Sequence, residues 1–97
     1  MGSGGLKTLE QMRNNPRNNW NIADFEKVCS ALADYGVMMR PPARGSHYKV
    51  TCDGIDDILT VPARRPIKPI YVKRFVSMMD SIIERAKNEE NGGQSAA

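Results

Sequence analysis

Cysteine and histidine are scarce in this chain, which contains only Cys29, Cys52 and a single histidine, His47. The two cysteines lie far apart and match no metal-binding spacing such as C-x-x-C, so neither a metal site nor a cofactor is predicted. They are interpreted as free thiols in a reducing cytoplasm, and a single disulfide is the less favoured alternative.

Long hydrophobic runs are also missing. No apolar stretch approaches the roughly 20 residues that a helix needs to cross a bilayer. The N-terminal stretch "MGSGGLKTLEQMRNN" lacks the apolar centre of a secretory signal, so we expect a cytoplasmic protein with no membrane partner. The length of 97 residues fits one small domain, because two separate cores would each be too small to be stable.

The net charge is only +3, but the basic residues are unevenly placed. From residue 40 to residue 74 there are eight basic and three acidic residues, a local net charge of +5, while the rest of the chain carries a net charge of −2. A basic block of this kind suits a polyanion such as RNA or DNA, although a merely solvated surface is equally compatible with the charge alone. The basic residues are Arg40, Arg44, Lys49, Arg64, Arg65, Lys68, Lys73 and Arg74.

The polar and glycine-containing ends predict a flexible segment over residues 1–18 and a disordered tail over residues 88–97. A single domain is expected over residues 19–87. Its first helix should follow Asn21 as the N-cap, in a capping box with Asp24, and Gly36 should end it after about four turns.

Three short strands and a second helix complete the predicted domain. The strands are expected in "VMMR", "SHYKVTC" and "ILTV", with a turn in "DGIDD", and the last helix should begin near Pro69. Alternation places His47 and Lys49 on one face of the sheet and Tyr48 on the other. The predicted fold class is therefore α+β, in the order α-β-β-β-α, with two helices on one face of a three-stranded antiparallel sheet.

His47 is the main candidate for chemistry. Imidazole titrates near physiological pH, so it can move a proton to or from a ribose hydroxyl without a metal ion. Gly45 lets a phosphate approach the backbone, and Ser46 offers a hydroxyl and an N–H group. An exposed histidine at the start of a strand, without a chemical role, is the alternative interpretation.

The loop "PARRPIKP" is the second candidate site. Its three prolines stiffen the backbone, and its three cations, Arg64, Arg65 and Lys68, suit phosphate groups. Lys73 and Arg74, in the first turns of the last helix, extend this basic patch. A purely solubilising role is the alternative, and nucleic-acid contact is favoured.

These stretches resemble a known family. "GSHYKV" followed by "LTVPARRPIKPIYVKRFVSMM" is similar to the HicA toxins, which are small mRNA interferases of bacterial toxin–antitoxin pairs. The upstream "NNPRNNWNIADFEKVCSALADYGV" is similar to the first helix of one branch of the family and to the segment before it. The resemblance covers about residues 14–83. Many members carry a second histidine or a later phenylalanine where this chain has Tyr48 and Val50.

The resemblance implies a fold like that of the double-stranded RNA-binding domain, cleavage of mRNA by the histidine of the Gly-Ser-His motif, and inhibition by a HicB-type antitoxin. We therefore expect a metal-independent endoribonuclease in which His47 is the general acid or base. Phosphate contacts are expected from Arg44, Lys49 and the basic loop. Two other classes stay open: a non-catalytic RNA-binding module, and an interaction domain for an acidic protein.

Overall fold

The computed structural model of the protein describes the backbone of residues 3–96 and the side chains of residues 4–89. Three helices and one antiparallel sheet make up an α+β fold, which confirms the predicted class. The order is α-α-β-β-β-α, so one helix precedes the predicted set. The elements in chain order are α1 (Ser3–Asn14), α2 (Ile22–Ala31), β1 (Val37–Arg40), β2 (His47–Cys52), β3 (Ile55–Pro62) and α3 (Pro69–Ala96).

The start of α2 follows the prediction. The Asn21 side chain accepts a hydrogen bond from the Asp24 backbone, and the Asp24 carboxylate accepts one from the Asn21 backbone, which completes a capping box. The helix ends earlier than expected, and a short 3-10 helix (Ala33–Tyr35) fills the last predicted turn. Gly36 follows with a φ of 90°, a backbone conformation that residues with a Cβ rarely adopt.

The sheet has the strand order β1-β2-β3, with both pairs antiparallel. Cys52 pairs with Ile55, so Asp53 and Gly54 form the tight turn that the sequence predicted in the "DGIDD" stretch. Between Val50 and Cys52 the register shifts at an irregularity, and β3 is longer than predicted. The alternation in β2 is confirmed, because Val50 and Cys52 are buried.

One hydrophobic core lies between the sheet and the three helices. Val50 and Val61 contribute to it from the sheet, and the rings of Phe25 in α2 and Phe75 in α3 lie with their centroids 4.3 Å apart. The opposite face of the sheet carries no helix in the described part of the chain. Its exposed residues include Met38, Arg40, Lys49 and Thr60.

The prediction of a flexible segment over residues 1–18 is wrong for α1. Leu9 and Met12 are almost fully buried in the core, and the guanidinium of Arg13 forms two hydrogen bonds with the carboxylate of Asp80 in α3. Gly5 permits this packing, because a Cβ there would lie 2.5 Å from the backbone oxygen of Lys27 in α2. The helix is therefore held by tertiary contacts rather than by a strong propensity of its own.

The predicted disordered tail also differs from the structure, since α3 continues through residues 88–96 as one helix. Within the described range, no helix combines the length and the apolar character that crossing a membrane requires.

Candidate functional site

His47 is the first residue of β2, and its backbone pairs with Pro62 at the end of β3. The carbonyl oxygen of Ser46 accepts a hydrogen bond from the N–H of Ala63 at 2.7 Å, which extends the contact one step beyond the strands. The register of two neighbouring strands therefore brings the Gly-Ser-His step beside the start of the basic loop. The His47 side chain is exposed, as a group that meets a substrate must be.

The basic loop, residues 63–68, is attached to the core near its other end. The N–H of Ile67 donates to the carbonyl oxygen of Trp20 at 2.9 Å, and the Ile67 side chain is almost fully buried. Trp20 is itself buried, and its indole N–H donates to the carbonyl oxygen of Asn15 at 2.8 Å. The loop is therefore held at both ends. Within it, the peptide bond between Arg65 and Pro66 is cis.

A pocket of about 320 Å³ lies between the Gly-Ser-His step, the basic loop and the start of α3. Its volume is at the lower end of the range of about 300–1,000 Å³ that is usual for small-ligand sites. Apolar walls are formed by Pro62, Pro66 and Ile67. The lining residues with polar groups are Ser46, His47, Arg64, Lys68 and Tyr71.

The chemistry of this lining favours an anion. Two permanent cations, Arg64 and Lys68, stand beside a titratable imidazole, and no lining residue is acidic. Lys68 also immediately precedes α3, whose dipole places a partial positive charge at this end of the helix, although Pro69 has no N–H group and the N–H of Tyr71 donates to the carbonyl oxygen of Lys68. The lining therefore combines positive charge with a group that can exchange a proton, which suits an anionic ligand.

The other predicted contact residues lie outside this pocket. Arg44 and Gly45 are exposed in the loop before β2, where Gly45 has a φ of 79°, and Arg65 is exposed in the basic loop. Lys49 lies on the open face of the sheet, between Arg40 of β1 and Thr60 of β3 in the strand register. None of these four residues lines the pocket, and their roles stay predictions.

Lys73 and Arg74 are separated from the pocket and from each other by the geometry of α3. Lys73 lines a cavity of about 600 Å³ with Met12 and Asp80, between α1 and α3. Arg74 lines another of about 450 Å³ with residues of β3 such as Ile58. Consecutive residues point about 100° apart around a helix, so neighbours in sequence contact different surfaces.

Tyr71 lines the pocket although the sequence analysis did not include it among the functional candidates. Its side chain is partly buried and packs against the core, and its hydroxyl forms no hydrogen bond with another described residue. The sequence feature that could have identified Tyr71 as a candidate is its position three residues after Lys68, which is about one helical turn further along the chain.

Two further predictions concern the scarce residues. Cys29 and Cys52 are both free and buried, which confirms the interpretation as free thiols. No cluster of three histidine, cysteine or acidic residues lies close enough to hold a metal ion in the part of the chain that the structure describes.

Comparisons with protein-family models, with curated proteins and with solved structures give no match for this chain. The resemblance to the HicA toxins therefore stays a prediction based on the residues quoted above. The pocket around His47 is the structural observation on which a functional proposal can be built.

Proposed function

We propose that this protein is a metal-independent endoribonuclease toxin of the HicA type that cleaves mRNA. The observation that carries the proposal is the shared pocket, which is lined by His47 of the Gly-Ser-His step and by Arg64 and Lys68 of the basic loop. A general acid–base group beside two cations suits transesterification of a phosphodiester, which needs proton transfer and stabilisation of extra negative charge on the phosphate.

In the proposed reaction the 2′-hydroxyl of the substrate attacks the neighbouring phosphorus, so the nucleophile belongs to the RNA. His47 acts as a general acid or base for this step. Arg64 and Lys68 neutralise the phosphate and stabilise the additional charge of the pentacoordinate state, with arginine able to contact two phosphate oxygens at once. Arg44, Lys49 and Arg65 would contact phosphates on either side of the reacting bond.

The proposal includes a protein partner and a compartment. A HicB-type antitoxin would keep the enzyme inactive by covering the pocket, whose residues Ser46 and His47 are exposed and therefore accessible to a second protein. An mRNA substrate implies action in the cytoplasm. The proposed antitoxin partner can be checked in the genome sequence, where a small antitoxin-type reading frame next to the gene for this protein would support it.

The decisive experiment compares the unaltered protein with His47→Ala on single-stranded RNA, with analysis of the product ends. We expect cleavage to 2′,3′-cyclic phosphate and 5′-hydroxyl ends, and a loss of at least about 100-fold in rate for the variant. His47 is exposed, so the substitution should leave the folded state intact, which circular dichroism would verify.

Two outcomes would contradict the proposal. Cleavage by His47→Ala at the unaltered rate would show that the imidazole is not the catalyst, and cleavage that stops in a chelator would contradict the metal-free mechanism. Salt-sensitive RNA binding without any cleavage product would favour the non-catalytic RNA-binding module instead.

A further inference from the structure

We propose that Tyr71 is the catalytic acid that complements His47, an assignment that rests on the proposed nuclease function. Cleavage through the 2′-hydroxyl requires two proton transfers, one from the attacking oxygen and one to the leaving 5′-oxygen. One imidazole cannot perform both in a single step. A second proton-transfer group, either a side chain of the pocket or a water molecule, is therefore needed.

The position of Tyr71 suits this role. Its side chain lines the same pocket of about 320 Å³ as Ser46 and His47, and it lies in the first turn of α3, where its N–H donates to the carbonyl oxygen of Lys68 at 3.0 Å. The aromatic ring packs against the hydrophobic core, and this contact restricts the orientation of the phenol. Tyr35, by contrast, is 45% exposed and is remote from the pocket lining.

The other polar lining residues fit the role less well. Arginine does not release its proton in proteins, which excludes Arg64 as an acid. Lys68 is exposed, and its ammonium is more useful as a permanent charge next to the phosphate. Phenols usually titrate near pH 10, so a tyrosine keeps its proton at neutral pH and is still far more acidic than an alcohol such as the Ser46 hydroxyl.

The proton balance of the step is complete with these two groups. His47 removes the proton of the 2′-hydroxyl as the bond between the 2′-oxygen and phosphorus forms. The bond between phosphorus and the 5′-oxygen breaks, and Tyr71 gives its proton to that oxygen. The products carry a 2′,3′-cyclic phosphate and a 5′-hydroxyl. The imidazolium then releases a proton to water and the phenolate takes one up, so no other reagent is consumed.

The test uses two RNA substrates of the same sequence, one of which has sulfur in place of the bridging 5′-oxygen at the cleaved bond. A thiolate leaves without protonation, so this substrate needs no catalytic acid. We expect Tyr71→Phe to cleave the oxygen substrate about 10²- to 10⁴-fold more slowly than the unaltered protein, and to cleave the sulfur substrate at a nearly normal rate. His47→Ala should be slow on both substrates.

A matched control is available in Tyr48→Phe, which removes the same hydroxyl from the residue next to His47 on the other side of β2 and should leave both rates unchanged. Equal slowing of both substrates by Tyr71→Phe, or no slowing of either, would overturn the assignment. Failure of the unaltered protein to cleave either RNA would instead overturn the nuclease proposal, and this assignment with it.

Discussion

Cys29 lies on the buried side of α2, with only 4% of its surface exposed. Burial disfavours the charged thiolate and, together with the negative charge of Glu26, raises the pKa of the Cys29 thiol from its usual 9.0 to about 12. Cys29 is therefore a structural thiol rather than a nucleophile, which agrees with its distance in sequence from His47.

This burial predicts a dependence of stability on pH. Because the pKa of Cys29 is higher in the folded than in the unfolded chain, the folded protein binds more protons between these values. The protonated Cys29 thiol therefore contributes to the free energy of unfolding. This contribution is fully present below about pH 9 and is lost as the pH rises through about 12. Urea unfolding of the unaltered protein should show a steeper loss of unfolding free energy in this window than Cys29→Ala, by at most about 1.4 kcal/mol per pH unit.

Comparing slopes rather than absolute stabilities matters here, because Cys29→Ala also leaves a small cavity that lowers stability at every pH. Every other ionisable group is the same in both proteins, so its effect on the two profiles cancels. Parallel stability profiles for the two proteins above pH 9 would contradict the assignment of a raised pKa to Cys29.

At the scale of elements, α1 contributes to the core although its sequence contains little that predicts it. The segment begins with glycines, and its apolar residues Leu6, Leu9 and Met12 follow at intervals of three. Leu9 and Met12 are buried, whereas Leu6 is 44% exposed. The segment therefore belongs to the folded domain.

The pair Leu9 and Leu6 gives a matched test of this element. Leu9→Ala should lower the unfolding free energy by about 2–5 kcal/mol, because it removes a fully buried side chain and leaves a cavity. Leu6→Ala changes the same side chain in the same helix at an exposed position, and its effect should be within about 0.5 kcal/mol. Denaturant unfolding monitored by the fluorescence of the single tryptophan, Trp20, would measure both.

Two results would argue against a docked α1. Equal and small effects of the two substitutions would mean that the helix does not pack as the structure has it. A shortened chain that starts at residue 19 and retains the full stability would mean the same, whereas we expect that chain to be clearly less stable.

At the scale of the whole molecule, the basic block between residues 40 and 74 is divided among several surfaces. Arg64 and Lys68 line the pocket with His47, Lys49 lies on the open face of the sheet, and Lys73 and Arg74 line other cavities. The local charge of +5 is therefore not one uniform patch. In the proposed nuclease only part of this charge would contact the phosphate at the reacting bond.

This division predicts unequal effects on RNA binding. Lys68→Ala should weaken binding and lower the magnitude of the slope of log affinity against log salt by about 0.7, the value expected for one lost contact to a single strand. Lys73→Ala should cause a smaller change, because its side chain lines a different cavity. Lys87→Ala, at an exposed position farther along α3, is the control for the loss of one positive charge anywhere.

RNA binding is measured at a series of salt concentrations for the three lysine variants and for the protein without a lysine substitution. All four proteins also carry His47→Ala, so that the RNA stays intact. Identical slopes and affinities for the three lysine variants would contradict a localised phosphate site. They would indicate instead that the RNA responds only to the total charge of the protein.

The predictions from sequence succeeded where the decisive interactions are between neighbours along the chain. The capping box of Asn21 and Asp24, the turn at Asp53 and the start of α3 at Pro69 each depend on a few consecutive residues. Such signals can be recognised without knowing the fold, because the hydrogen bonds and dihedral preferences involved are local.

The predictions failed or stayed incomplete where partners are distant in sequence. Burial of Leu9 depends on a core built by all the other elements, and the lining of the pocket by Tyr71 depends on where α3 begins relative to β2. The separation of Lys73 from Lys68 required the orientation of α3 against α1. None of these relations is encoded in a short window of residues.

The sequence by itself determined the α+β class, the alternation that exposes His47 and most of the element boundaries, because these follow from periodicity and local backbone preferences. Only the tertiary structure decided which residues share the pocket with His47. The pairing of His47 with Pro62 and the hydrogen bond from Ile67 to Trp20 bring together segments that are apart in the chain. Long-range contacts of this kind depend on packing the whole core, and so Tyr71 emerged as a candidate only from the folded molecule.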